Sequence, residues 1–100
     1  GKSRTNRYEA QAIVDDAVAR MRDWLTFPED ERYTLGVITF NSQQQSLIQD
    51  LFDQAQRDNP EIEWFFSDER VEPTVVKNLE NVQGDERDVI QKRYLVIQSK

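Results

Sequence analysis

Apolar residues recur at Val14, Ala17, Val18, Met21 and Leu25, the three- and four-residue spacing that lines one face of a helix. Asn6 precedes this run with Glu9 three positions later, the spacing of a capping box. The pattern predicts a helix that starts near Asn6 and ends near Thr26-Phe27-Pro28, followed by a charged connector over 28–32. Leu35-Gly36-Val37-Ile38 is nearly continuous rather than periodic, so residues 33–40 read as a strand covered on both faces. Asn41 and Ser42 punctuate it, and Ser42 with Gln45 fits a second capping box. Leu47, Ile48, Leu51, Phe52 and Ala55 form the apolar face of a second helix, which Asn59-Pro60 stops. Beyond it the pattern predicts strands at 62–66, 74–78 and 88–90, with a polar loop over 67–73 and a last apolar run at 94–97. Helices alternating with buried-type strands predict an α/β fold, a mostly parallel sheet flanked by helices. No internal repeat or low-complexity segment interrupts this order.

The chain of 100 residues is one small domain or a piece of a larger one. It contains neither cysteine nor histidine, which excludes disulfides, thiolate chemistry, a histidine-based triad and the usual zinc sites. With 19 acidic against 13 basic residues the net charge is −6, which argues against an autonomous nucleic-acid binder but leaves room for one wall of a shared site. No apolar run approaches the ~20 residues that span a bilayer, and the N-terminus has no signal-peptide core. A soluble, cytoplasmic protein with no membrane partner is the expectation.

Chemistry in an open α/β sheet sits beyond the carboxyl ends of the strands. Two such ends carry polar residues. At Thr39-Phe40-Asn41-Ser42-Gln43-Gln44 a strand hands over to a helix N-terminus, whose free amides and positive dipole end suit phosphate. The plainer reading is capping by Ser42, with Gln43, Gln44 and Gln45 solvated. At 78–90 the sequence N-L-E-N-V-Q-G-D-E-R-D-V-I interrupts apolar runs with Gln83, Gly84 and Glu86. It reads as a simple turn between strands, or as a turn presenting side chains and amides at a sheet edge. Other groupings carry less. Asp15-Asp16 is a solvated helix face, and Asp68, Glu69 and Glu72 lack the spacing of a cation cage, so no metal site is expected. Glu72 and Lys77 cannot share one strand face for nuclease chemistry. Trp64, Phe65 and Phe66 could stack bases, or pack in a core or at an interface. No G-x-x-x-x-G-K-[ST] loop is present, which excludes an independent ATPase of that class.

The two strand-end segments, in this order, resemble the second RecA-like domain of superfamily 1 helicases of the DNA2/NAM7-like group. Gly36-Val37-Ile38-Thr39 matches the family's G-[VI]-I-T strand, and Gln44 aligns with the glutamine of the helix that follows. Residues 78–90 run parallel to the family's T-V-D-S-F-Q-G-x-E-x-D-V-I, and Asn6-Arg7-Tyr8-Glu9-Ala10 matches its Asn-Arg-x-Glu-Ala start. The resemblance covers the chain up to Ile90 and implies a RecA-like, P-loop NTPase-type fold, small or incomplete. It treats 1–100 as one partial domain, with 91–100 either a final strand or an unrelated tail.

The resemblance further implies that Gln44, Gln83, Gly84 and Glu86 face ATP, and that Thr39, Asn41 and Asn78 lie along the nucleic-acid track. ATP and Mg2+ would be held mainly by a first RecA-like domain, the implied partner, with DNA or RNA as the strand and none of these bound tightly to this chain alone. Departures limit the expectation. Asn78 and Glu80 stand for the family's Thr and Asp, and Phe40-Asn41 for its Pro-aromatic turn. The family's arginine motif, Walker motifs and first domain have no counterpart. The resulting expectation is a helicase fragment with no catalytic residue of its own and no hydrolysis alone. The alternative is a stand-alone interaction module, which predicts an exposed apolar patch at Trp64 to Phe66.

Overall fold

The computed structural model describes residues 6–67, 70, 73–78 and 94–99. Its centre is strand β1 (Thr34–Thr39), with β2 (Val75–Asn78) on one side and β3 (Tyr94–Gln98) on the other. Both neighbours run parallel to β1, and Gly36 sits opposite Val75 on one flank and Val96 on the other. Parallel neighbours need a crossover, which turns and helices must supply. Helix α2 (Ser42–Asp58) and the short 3-10 helix Pro60–Phe66 supply it between β1 and β2. Helix α1 (Arg7–Trp24) packs beside α2. The described residues thus form a small α/β unit, three parallel strands flanked by helices, of the small or incomplete RecA-like kind.

The burial of β1 explains its apolar sequence. Leu35 and Val37 are fully buried, Thr34, Gly36 and Thr39 are buried with them, and only Ile38 is partly open. A strand in this position must be apolar on both faces, as its unbroken run predicts. The periodic residues of α1 close over the core through Val14, Ala17 and Met21, and those of α2 through Ile48, Phe52 and Ala55. The last apolar run, 94–97, forms β3 with Gln98. The strand expected at 88–90 lies outside the described residues.

Residues 62–66 are not a strand. They belong to the 3-10 helix Pro60–Phe66, for two physical reasons. Pro60, at its first turn, has φ fixed near helical values and no N–H to give to a ladder. Ile62 and Phe65, three apart, are both fully buried, the spacing of a 3-10 turn. A five-residue apolar run could not separate the two outcomes.

The aromatics here serve packing. Phe65 meets Trp64 edge-on at 4.9 Å and Trp24 at 5.9 Å, Trp24 stacks on Tyr33 at 5.0 Å, and Phe66 meets Phe52 at 5.3 Å. The guanidiniums of Arg32 and Arg70 lie 4.6 and 4.2 Å from the Trp64 ring centre. Arg32 also donates to the carbonyls of Leu25 and Phe27, which closes the C-terminal end of α1. Arg70 donates to Phe65 O and to Thr34 Oγ1, which places the cluster at the amino end of β1. Since Phe65 is fully buried and Trp64 and Phe66 are half-buried, the exposed patch expected of an interaction module is not formed.

Phe65→Ala should lower unfolding free energy by about 3–5 kcal/mol in urea denaturation, because it opens a cavity between α1, β1 and the 3-10 helix. Val96→Ala, on the half-open face of β3, should change it by no more than about 0.5 kcal/mol.

Candidate functional site at the carboxyl edge of the sheet

Because all three strands are parallel, their carboxyl ends share one edge. β1 ends there at Thr39, opposite Asn78, the last residue of β2. Thr39 is fully buried, and its Oγ1 lies 3.2 Å from Asn41 O and 3.3 Å from Lys77 O. One hydroxyl proton thus bridges the turn into α2 and the backbone of β2. Asn78 is buried beside it.

The cap of α2 is Asn41, not Ser42. Asn41 has extended backbone, and its Oδ1 accepts from the Gln44 N–H at 2.7 Å. Ser42 is already the first helical residue. Asn and Ser cap about equally well, so sequence did not distinguish adjacent candidates. Gln45, expected to close a capping box, instead donates from Nε2 to Val76 O at 2.8 Å, which ties α2 to β2.

Gln44 is not solvated either. It is 2% exposed, and its side-chain amide reaches the start of α1. Oε1 accepts from the Asn6 N–H at 2.8 Å, while Nε2 donates to Asn6 O at 3.2 Å and to Ser99 Oγ at 3.4 Å. Ser99 Oγ in turn donates to Glu9 Oε1 at 3.0 Å, and Ser99 N–H donates to Ile38 O at 2.7 Å. The capping box expected at Asn6 is therefore half made. Asn6 Oδ1 accepts from Glu9 N–H at 3.0 Å, but the Asn6 N–H goes to Gln44 and the Glu9 carboxylate to Ser99.

The structure thus brings together Thr39, Asn41, Gln44 and Asn78, four of the seven residues singled out from sequence. Gln83, Gly84 and Glu86 lie outside the described residues. Glu9, Gln45 and Ser99 join the edge without having been singled out. Glu9 and Gln45 carried a capping signal that pointed elsewhere, and a serine after an apolar run carries none. Among the described residues no group of three or more acidic side chains is placed to hold a metal ion, and no helix is long and apolar enough to cross a membrane.

This edge can do two things chemically. It offers the first turns of two helices, α1 and α2, held side by side through Asn6 and Gln44. It also offers a strand-end pair, Thr39 and Asn78, with hydroxyl and amide groups and no charge. Such a surface can support binding of an anion or of a sugar-phosphate backbone.

Comparison with known proteins bears on this edge. The profile of a protein family described as "AAA domain" matches residues 1–92. An uncharacterized ATP-dependent helicase of Mycoplasma genitalium, MG140, is 43% identical over 93 residues, covering 89% of this chain and 8% of that protein. The MG140 homolog of Mycoplasma pneumoniae, also named an uncharacterized ATP-dependent helicase, is 42% identical over 82 residues, covering 75% of this chain and 7% of its own length. The chain therefore spans less than a tenth of the curated relatives it matches. No solved structure matches it at a comparable level.

Asn41→Ala should cost about 1 kcal/mol of stability by removing the α2 cap, read from chemical denaturation. Ser42→Ala should fall within about 0.5 kcal/mol of the parent, as expected of an exposed first-turn residue. Equal losses would restore Ser42 as the cap.

Proposed function

The chain belongs to the AAA domain family, and on that premise we propose that it is a segment of an ATP-dependent superfamily 1 helicase, the second RecA-like domain of a DNA2/NAM7-like motor. It forms one wall of an ATP cleft and of a nucleic-acid track. The helicase names of its relatives support the general class. The observation that carries the finer reading is the convergence of Thr39, Asn78 and the starts of both helices at one sheet edge. Ligands of open parallel sheets collect at that edge.

In this reading Gln83, Gly84 and Glu86 face the nucleotide, with Gln44 on the same side at the first turn of α2. Thr39, Asn41 and Asn78 border the DNA or RNA backbone. The first RecA-like domain is the partner across the cleft and holds most of the ATP and Mg2+. Opening and closing of the two domains moves the strand. The net charge of −6 fits a wall that adds polar contacts while the partner domain supplies the cations. A cytoplasmic setting goes with this role.

The chain alone should show no ATP hydrolysis above background. Joined to flanking helicase domains, Glu86→Gln should slow ATP-driven unwinding by about tenfold or more, the loss of one hydrogen bond to a charged group, with Tm unchanged. Unwinding at the parent rate in that variant would overturn the assignment of Glu86. Hydrolysis by the isolated chain would overturn the fragment reading.

A further inference from the structure

The Gln44 side chain makes a two-point contact with a single residue. A primary amide presents an oxygen acceptor and two N–H donors. Asn6 presents a backbone N–H and a backbone C=O, and Gln44 meets both, at 2.8 and 3.2 Å. This complementarity fixes which end of the amide carries oxygen. The second Nε2 proton goes to Ser99 Oγ, whose own proton goes to Glu9 Oε1. Glu9 and Asn6 are joined within the first turn of α1, so the contacts close into a ring. The ring joins the first turn of α2, the end of β3 and the first turn of α1, segments 38 and 55 residues apart along the chain.

We propose that Gln44 is a positioning residue: its side-chain amide clamps the starts of α1 and α2 and the end of β3 into one body, and does so instead of touching nucleotide. Phosphate and ribose oxygens are recognised by donors, and both donors of Gln44 are committed inside the protein. Only one acceptor lone pair remains, on a side chain that is 2% exposed. A carboxylate at this position could accept from Asn6 N–H but could not donate, and a thioether could do neither. The clamp is a matter of hydrogen-bond pattern rather than of volume. Its consequence for ligand binding rests on the carboxyl-edge reading above, while the clamp itself rests on geometry alone.

The test uses amide exchange and nucleotide titration by NMR on the 15N-labelled full chain, with Mg–ATP as probe. Gln43, exposed and adjacent, is the internal reference. The Gln44 side-chain protons should exchange about tenfold or more slowly than those of Gln43, as expected of buried, bonded donors. Gln44→Met, similar in volume, should speed Asn6 N–H exchange by about tenfold, and Gln44→Glu, which keeps the acceptor, by distinctly less. A packing role alone would leave Asn6 protected in the methionine variant, and that result overturns the clamp. Added Mg–ATP should shift the Gly84 amide and leave the Gln44 side-chain signals in place. Gln44 signals that move as far as those of Gly84 would make it a ligand contact and overturn the proposal. Silence at both positions would agree with a nucleotide held mainly by the partner domain, and the exchange comparison of the two variants would still decide the clamp.

Discussion

The parallel pairing of β1 with a neighbour on each side is the constraint on which the rest of this structure depends. A central parallel strand has no solvent face, so its sequence must be apolar throughout. Its neighbours cannot be reached by a tight turn, so helices must carry the chain back. Parallel pairing also sends every strand end to the same side. Thr39 and Asn41 at the exit of β1, Asn78 at the end of β2 and Ser99 after β3 therefore lie along one edge, although they are far apart in sequence.

That meeting is held largely by hydrogen bonds of neutral side chains, with the Glu9 carboxylate accepting from Ser99 at its margin. Thr39 bridges β1's exit to β2, Gln45 ties α2 to β2, and Gln44 ties α2 to α1 and to Ser99 after β3. Each of these side chains is buried or half-buried, where an unmade hydrogen bond costs about 1–3 kcal/mol. Neutral partners avoid the greater desolvation of buried charge. The arginines of the fold's interior contacts, Arg32 and Arg70, are kept at the opposite end of β1, around Trp64. The molecule thus separates a cationic, aromatic packing end from a polar edge built mostly of amide and hydroxyl groups.

Much of the fold was legible because its strongest signals are periodic or continuous. The apolar stripe of α1, the stripe of α2 and the unbroken run of β1 each allowed only one efficient burial. Where the signal was short, it failed. Residues 62–66 have the apolar content of a strand, and only Pro60 and the three-residue spacing of Ile62 and Phe65 mark the 3-10 helix. Asn41 and Ser42 are equivalent as caps on paper, and backbone geometry chose between them. The site was legible as positions rather than as contacts. Thr39, Asn41, Gln44 and Asn78 do gather at one edge, but the sequence could not reveal that Gln44 faces inward. Its partners Asn6 and Ser99 are 38 and 55 residues away; Asn6 carried only a capping signal, and nothing local marks Ser99.

The central claim is that the carboxyl edge of this sheet is the ligand side of a helicase domain. The most direct measurement is a crystal structure of the chain joined to its flanking helicase domains, with a non-hydrolysable ATP analogue and a single strand bound. The account predicts the nucleotide at the carboxyl edge of the sheet and in contact with Gln83, Gly84 and Glu86, with the strand passing Thr39 and Asn78. A nucleotide lodged at the amino end of β1, against Arg32, Trp64 and Arg70, would contradict it.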